Sequence, residues 1–284
     1  MNRSYWTGAA LLTFVALYAQ TGWGQAAAVH ARFGVTYTTE DYARVLSTYV
    51  DEKGMVDYTS LKANREPLDN HVRDVAGLYT EIYEEWPQNE RMAYLINAYN
   101  ALTLETIIDH YPIEKNWKQL WHPIGIRHIP DAWTESRHML KGDMLSLDQI
   151  EHDLLRKQFK EPRIHMALVC AAKSCPPLRR EPYEARRLND QLDDQARTFL
   201  ADPSNFRIDK GKQKTVYLSE IFEWFGKDFV EPYRDKPTVN WGTEEEQAVL
   251  AFILEFLNDD DRNELLKNTY SIDYIKYDWS LNDQ

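Results

Sequence analysis

The sequence predicts an α+β protein, built as a helix-rich single domain with a small, mostly antiparallel sheet. Two observations lead to this class: segments with helical periodicity dominate the chain, and segments with strand patterning are few and short. The sequence has no internal repeat and no low-complexity tract. Hydrophobic residues make up 43% of the 284 residues, which is enough for a sizeable core.

The chain begins with the pattern of a secretory signal peptide. Arg3 is followed by the apolar run "GAALLTFVALYA" and then by small residues in "GQAAAVHA". The apolar run is too short to span a bilayer, although an uncleaved anchor is the alternative. We therefore expect residues 1–28 to be removed and residues 29–284 to form one globular domain. The mature protein is expected to be periplasmic or secreted, without a stable membrane span.

Composition narrows the partner class. The chain has 45 acidic and 33 basic residues, and its formal net charge is −12. This charge opposes binding to nucleic acid or to an anionic membrane surface. The nine tryptophans and seventeen tyrosines predict either a well-filled core or an aromatic-lined cleft. We expect an unknown small-molecule or peptide ligand as the partner.

Helical periodicity predicts helices in five places. They are residues 40–50, 66–86 and 90–111, together with the stretches "SLDQIEHDLLRKQF" and "TEEEQAVLAFILEFL". Ser146 and Gln149 stand in the spacing of a capping box at the start of the fourth, and Thr243 and Glu246 do so at the start of the fifth.

Three segments read as strands. "RIHMALVC" is a compact apolar run after Pro162, "NFRIDKGKQKTVYLS" reads as a hairpin with Gly211 near its turn, and "SIDYIKYDW" alternates near the end of the chain. Residues 113–141 have no steady period, and a long ordered loop is expected there.

Five separated motifs resemble those of the domain of unknown function 547 family. They are "YLINAYNALTLETIIDHYP", "LSLDQIEHDLLR", "PRIHMALVCAAKSCPPL", "VYLSEIFEWFGKDF" and "YDWSLND". The motifs occur in the expected order, and the resemblance runs from about Tyr42 to Asp283, nearly the whole mature chain. The resemblance implies a family without an established activity, so function has to be inferred from individual residues.

The two cysteines lie in "RIHMALVCAAKSCPPLRREPY", with His165 five residues before Cys170 and a proline pair directly after Cys175. A nucleophilic cysteine needs a stabilised thiolate, commonly at a helix N-terminus and beside an imidazole. Because proline suits a first helical turn, Cys175 can begin such a turn and fold back toward His165. Strand alternation places His165 on the face opposite Cys170.

Asn97 and Asn100 lie three residues apart in an otherwise apolar helix and therefore share a face. Their amides either point into a site or bind neighbouring backbone in the core. With Cys175 as nucleophile and His165 as base, they complete a Cys-His-Asn set that resembles those of papain-like and transglutaminase-like enzymes. The first hypothesis is an exported hydrolase or acyl-transferase acting on peptide or amide bonds.

The alternative is a non-catalytic binding module stapled by a Cys170–Cys175 disulfide. Exported cysteines usually oxidise, and the four-residue spacer lets the two Cα atoms reach disulfide distance. A buried, unreactive pair of thiols is a third reading. No second CxxC or HxxxH motif accompanies the cysteines, and the histidines are unequally spaced, so no metal and no other cofactor is predicted.

Four residues of a second group carry a ligand-binding hypothesis. They are Glu151, His152, Arg156 and Arg163. His152 and Arg156 are four residues apart on one helix face, and an arginine fork suits a carboxylate or phosphate. Solvated or ion-paired helix charges are the alternative. The closing "YDWSLND" either packs Trp279 under a cleft rim or docks on the sheet as a strand.

Overall fold

The computed structural model describes residues 37–114, 123–135 and 137–284. The predicted signal peptide and parts of the predicted loop at residues 113–141 lie outside these ranges. The α-helices are α1 (Glu40–Tyr49), α2 (Tyr58–Ala63), α3 (Glu66–Gly77), α4 (Thr80–Glu85), α5 (Gln88–His110), α6 (Leu147–Gln149), α7 (Lys157–Phe159), α8 (Leu188–Ala201), α9 (Glu220–Phe225), α10 (Lys227–Tyr233), α11 (Glu244–Leu254) and α12 (Asp259–Lys267). A π-helical stretch, Ile150–Arg156, joins α6 to α7, and short 3₁₀ helices form at Ile126–His128 and Pro162–Met166.

Two small sheets complete the α+β fold that the sequence predicts. The strands are β1 (His138–Leu140), β2 (Asp143–Leu145), β3 (Phe206–Asp209), β4 (Thr215–Ser219) and β5 (Ser271–Ile275). β1 pairs with β2, and β3 pairs with β4, in both cases antiparallel. β5 joins β4 in parallel, with Thr215 opposite Ser271. The predicted hairpin and the predicted C-terminal strand are therefore confirmed, and most of the pairing is antiparallel.

Helix α5 is the central element. Sixteen of its residues are buried, from Met92 to Ile108, which leaves no polar face along most of its length. A helix that is apolar on all sides belongs inside the protein rather than on its surface. Its N-terminal half packs into one hydrophobic cluster and its C-terminal half into another, so it belongs to both. None of the helices in the described ranges is both long and apolar enough to cross a membrane.

Local sequence signals explain where several helices start. Ser146 Oγ accepts the main-chain N–H of Gln149 at 3.2 Å, and the Gln149 side chain accepts the N–H of Ser146 at 3.1 Å. Thr243 and Glu246 form the same reciprocal pair at the start of α11. Both predicted capping boxes are confirmed, because each one satisfies main-chain donors that the first helical turn leaves free.

The strand predicted at "RIHMALVC" is wrong. Residues 162–166 form a 3₁₀ helix in which Glu161 accepts the main-chain N–H of Arg163 as an N-cap. The N–H of Ala167 then bonds to the carbonyl of Ile164 at 2.8 Å. A short run of consecutive apolar residues fits a buried strand and a buried helical segment equally well, so its periodicity does not distinguish the two structures.

The single helix predicted at residues 66–86 is also wrong. It divides into α3 and α4, because Leu78 and Tyr79 adopt extended backbone conformations. Leu78 is buried at 1% exposure, and the turn that it makes lets α4 pack beside the start of α5. Burial of this leucine outweighs the local helical preference.

The C-terminal segment ties the end of the chain to its N-terminal helices. The N–H of Val56 bonds to the carbonyl of Asn282 at 2.8 Å, and the N–H of Gln284 bonds to the carbonyl of Val56 at 3.1 Å. The buried hydroxyl of Tyr58 donates to Asn282 Oδ1 at 2.7 Å. This segment carries Tyr277 and Trp279, so its attachment fixes two side chains of the site described below.

Replacing Tyr58 with phenylalanine removes that hydroxyl and leaves Asn282 Oδ1 buried without its donor. We expect a loss of about 1–2 kcal/mol in the free energy of unfolding, measured by urea denaturation. Tyr49→Phe is the control, because the Tyr49 hydroxyl makes no hydrogen bond within the described ranges. Equal stability of the two variants would contradict this account of the C-terminal attachment.

Candidate functional site

An aromatic cavity of about 160 Å³ brings together residues from six parts of the chain. It is lined by Tyr99, Trp133, Glu151, His165, Leu168, Cys170, Cys175, Pro176, Ile221, Trp224, Phe225, Tyr277 and Trp279. Six of these side chains are Tyr, Trp or Phe, and the polar groups are a carboxylate, an imidazole and two sulfurs. The aromatic content predicted either a well-filled core or an aromatic-lined cleft, and the structure contains both.

The two cysteines form a disulfide in this cavity, with their Cα atoms 6.3 Å apart. Two donors also point at Cys175 Sγ: the main-chain N–H of Cys170 at 3.0 Å and the Tyr277 hydroxyl at 3.1 Å. Burial raises the pKa of the Tyr277 phenol, and the charges of Glu151 and Glu220 raise it further. Tyr277 therefore keeps its proton and remains a donor to the sulfur.

His165 is held by stacking and by a carboxylate. Its ring lies parallel to Phe225 at a centroid distance of 4.1 Å, and only 2% of its side chain is exposed. Its Nε2 lies 2.9 Å from Asp228 Oδ2. Because the carboxylate accepts at Nε2, the proton of neutral His165 resides there and Nδ1 is the free basic nitrogen. Nδ1 makes no hydrogen bond within the described part of the chain.

Asp228 connects His165 to Arg156. The Arg156 guanidinium donates to both Asp228 oxygens, at 2.6 Å and 2.8 Å. Burial raises the pKa of the Asp228 carboxyl, but the hydrogen bonds from His165 and Arg156 outweigh burial and leave this pKa well below its ordinary value. Asp228 is therefore ionised at neutral pH and holds the His165 ring through Nε2.

Glu151 faces the cavity from the π-helical stretch. Its Oε2 accepts the Tyr99 hydroxyl at 3.2 Å. Burial raises the pKa of the Tyr99 phenol, and the Glu151 charge adds to this effect. No lysine, arginine or histidine forms an ion pair with Glu151 anywhere in the described ranges. π-Helical turns occur frequently at functional sites, and this one places a carboxylate among aromatic rings.

Three aromatic side chains form the mouth of the cavity. Trp224 stacks on Trp279 at 5.7 Å, and Tyr277 lies 4.5 Å from Trp279 between ring centroids. Trp224 is 43% exposed, which is unusual for so large an apolar group.

A glycine at position 125 is required, because a Cβ atom there would lie 2.1 Å from the Trp279 carbonyl oxygen. A larger cleft of about 720 Å³ adjoins the mouth and shares Tyr277 and Trp279 with it.

The structure places Asn97 and Asn100 away from the cavity lining. Asn100 donates to the carbonyl of Ala167 at 3.0 Å and accepts the N–H of Val169 at 2.9 Å. Asn97 makes the same two-way pair with the backbone of Tyr183, with both distances 2.9 Å. Both amides thus hold the main chain on either side of the cysteine segment. These contacts do not support the first of the two alternatives for Asn97 and Asn100, in which their amides point into a site.

The structure brings two of the four predicted ligand-binding residues into direct contact but does not gather all four. The Arg156 guanidinium donates to His152 Nδ1 at 2.6 Å, and His152 Nε2 pairs with Asp148 at 3.3 Å. Glu151 lines the cavity, and Arg156 also binds Asp228, the partner of His165.

Arg163 has partners of its own. It binds Glu161 at 2.6 Å and Asp193 at 2.7 Å. No described residue bonds to both Arg156 and Arg163, so the structure gives the ion-paired alternative for these two guanidiniums.

Sequence reasoning missed the residue that orients His165. Asp228 follows "EWFGK" in one of the quoted motifs, but it is 63 positions from His165 along the chain. The tryptophans of the cavity are also far apart in the sequence, so Trp279 was the only one predicted to lie at a cleft. A signal was present in the clustering of Trp224, Phe225 and Asp228 within five positions, which mixes aromatic and acidic residues on a short helical segment.

Residues 83–200 match the model of the family described as "Protein of unknown function, DUF547". This range contains α5, the π-helical stretch and both cysteines. Asp228, Tyr277 and the tryptophans of the cavity mouth lie beyond it. No curated protein and no solved structure matched the chain.

Replacing Asn100 with alanine leaves the carbonyl of Ala167 and the N–H of Val169 buried without partners. We expect a loss of about 2–4 kcal/mol in the free energy of unfolding. Asn240→Ala, at an exposed position, is the control and should stay within about 0.5 kcal/mol of wild type. Urea denaturation of both variants measures the difference, and a near-neutral Asn100→Ala would show that this clamp contributes little.

Replacing Asp228 with asparagine tests the charge network through pH. Because the pKa of Asp228 is lowered on folding, its contribution is present above the ordinary carboxyl value of 3.8 and is lost as pH falls below it. At neutral pH we expect Asp228→Asn to lose about 2 kcal/mol of unfolding free energy. The gap to wild type should shrink below about pH 4.

Asp235→Asn is the control for this series, because Asp235 is exposed. Unfolding free energies are measured by denaturation from pH 7 to pH 3. A gap that is constant across this range, or that widens toward acid, would mean that Asp228 is not held ionised by His165 and Arg156.

Proposed function

We propose that this protein, a member of the DUF547 family of unknown function, is an exported thiol-dependent hydrolase or acyl-transferase acting on peptide or amide bonds. Cys175 is the nucleophile and His165 the general base. One observation carries the proposal: Cys175 and His165 line the same cavity, and His165 is bonded through Nε2 to Asp228 from a distant part of the chain. Asp228 takes the orienting role that the sequence alone assigned to Asn97 or Asn100.

The surroundings of Cys175 suit a nucleophile. A thiolate at this position receives hydrogen bonds from the Cys170 N–H and the Tyr277 hydroxyl, and donors directed at sulfur stabilise its charged form. Cys175 is buried, and a hydrogen bond is electrostatically stronger in a buried site than in water. The same two donors are available to an oxyanion only after sulfur has moved, so we assign them to the thiolate.

The surroundings of His165 suit a base. Asp228 fixes the ring through Nε2 and stabilises the imidazolium that forms when Nδ1 accepts a proton. Stacking on Phe225 prevents rotation of the ring. Arg156 holds Asp228 in place with two parallel hydrogen bonds, a geometry that fixes a carboxylate in both distance and direction.

The disulfide makes the proposed enzyme latent. An external dithiol reduces the Cys170–Cys175 bond and itself becomes a disulfide, which frees both sulfurs. His165 takes the Cys175 proton, and the thiolate attacks the carbonyl carbon of the substrate. As the C–S bond forms, the C–N bond breaks and the leaving amine takes the proton from His165. Water or an acceptor amine, deprotonated by His165, then cleaves the thioester and restores the thiolate.

Export is part of the same proposal. It is supported by the charged, apolar and small-residue order of residues 1–28. A disulfide also persists more readily in an oxidising compartment than in a reducing one.

A second candidate function is a non-catalytic binding module. The observation that favours it is the disulfide itself, since a bonded sulfur is no nucleophile and a short covalent loop rigidifies the cavity floor. In that case His165 and Asp228 form a buried polar pair that only shapes the cavity. The two candidates differ in whether the sulfur, once reduced, responds to His165.

The test uses Cys170→Ser, which leaves Cys175 as the sole thiol of the chain. We expect its alkylation by iodoacetamide at pH 7 to be faster than that of free glutathione. His165→Gln in the same background should slow it by about tenfold or more, because the thiolate loses its imidazolium partner. His110→Gln, which removes an exposed histidine at the end of α5, is the matched control.

Alkylation is followed by mass spectrometry of the intact protein. A Cys170→Ser thiol that reacts at the same rate with and without His165 would contradict the enzyme and leave the binding module. Circular dichroism of each variant separates an effect on reactivity from a loss of folding.

A further inference from the structure

The cavity combines aromatic walls with a single carboxylate. Six rings line it, and Glu151 is the acidic side chain among its lining residues. Glu151 is partly buried, and within the described ranges its one side-chain hydrogen bond comes from the neutral Tyr99 hydroxyl. A partly buried carboxylate without an ion-pair partner can gain one from a cation that enters the cavity.

The charges near the cavity differ in how they are paired. Asp228 is bonded to Arg156 on one side and to His165 on the other. Arg156 lies 5.0 Å from the Phe225 ring and attracts Glu151 without forming an ion pair with it. Arg127 lies 4.8 Å from the centre of the Trp279 ring at the mouth. Glu151 is therefore the acidic side chain that lines the cavity, and no cation forms an ion pair with it within the described ranges.

We infer that this cavity binds the ammonium group of an amine substrate, with Glu151 as its ion-pair partner. The faces of Trp and Tyr rings attract cations through their electron-rich centres, and aromatic cages recognise alkylammonium groups in this way. The negative charge of the whole chain, −12, also favours the approach of a cation. Glu151 would repel an anionic ligand, so the inference predicts that the cavity binds cations in preference to anions.

The cavity volume sets the size of the bound group. A volume of about 160 Å³ holds about five waters at roughly 30 Å³ each. An aminoalkyl group with four carbons and one nitrogen has about the same number of heavy atoms. The rest of a larger substrate would lie in the adjoining cleft of about 720 Å³ beyond Tyr277 and Trp279.

The inference deepens the proposed function, and it rests on that proposal only for the identity of the reaction. In an acyl transfer at Cys175, the amine is the leaving group of the amide that is cleaved or the acceptor that attacks the thioester. Its recognition by Glu151 is independent of the sulfur, because the carboxylate is present whether or not the disulfide is reduced.

The test is a binding titration on the oxidised full chain, in which the proposed thiol chemistry cannot occur. n-Butylammonium chloride and n-butanol serve as probes of nearly equal size, at constant ionic strength set with sodium chloride. Binding is followed by intrinsic tryptophan fluorescence, since three tryptophans line the cavity. We expect butylammonium to bind at least tenfold more tightly than butanol.

Glu151→Gln should abolish most of this preference, whereas Glu66→Gln, which removes an exposed glutamate at the start of α3, should leave it unchanged. Trp279→Leu is a second variant that removes a wall without changing charge, and it should weaken butylammonium binding by about threefold or more. Equal affinity of wild type for the two probes, or no detectable binding of butylammonium, would overturn the inference even where Glu151→Gln fails to fold. Either result leaves the alkylation kinetics of Cys170→Ser, and hence the proposed function, standing.

Discussion

Two buried asparagine amides are the constraint on which the site depends. Asn97 and Asn100 project from the central helix and each exchange two hydrogen bonds with a main chain that has no regular secondary structure of its own. Buried irregular backbone needs partners for its polar groups, and here side chains supply them. The cysteine segment lies between the two clamped points, so the position of both sulfurs is set by a helix that contributes neither of them.

The opposite side of the cysteine segment is held by the end of the chain. The N–H of Lys173 bonds to the carbonyl of Ser280 at 2.8 Å, and the N–H of Asn282 bonds to the carbonyl of Ala171 at 3.0 Å. Ala171 has a φ of +61°, a conformation that a residue with a side chain adopts only when its surroundings impose it. Backbone that is fixed from two sides can hold such a residue beside Cys170, and it can hold sulfur against Tyr277.

The fold class, the capping boxes, the hairpin and a disulfide between the two cysteines could be predicted from the sequence. Each depends on residues close together in the chain or on the periodicity of apolar residues. Sequence alone could not predict Asp228 or the aromatic mouth, since these meet His165 only through the packing of α9 and α10 against the 3₁₀ helix. The wrong strand at residues 163–170 had a direct consequence. It placed His165 and Cys170 on opposite faces, whereas the 3₁₀ turn lets both line one cavity.

Ligand recognition and thiol reactivity, as proposed, would depend on different parts of the cavity. None of the contacts of Glu151 or of the rings that line the cavity requires a free thiol. In the proposed enzyme, reactivity would depend on the sulfur of Cys175, which the disulfide holds. The oxidised form of that enzyme would therefore still bind its amine but would lack a nucleophile. Reduction would change one bond, while the hydrogen bonds of Asn97 and Asn100 would still hold the main chain on either side of it.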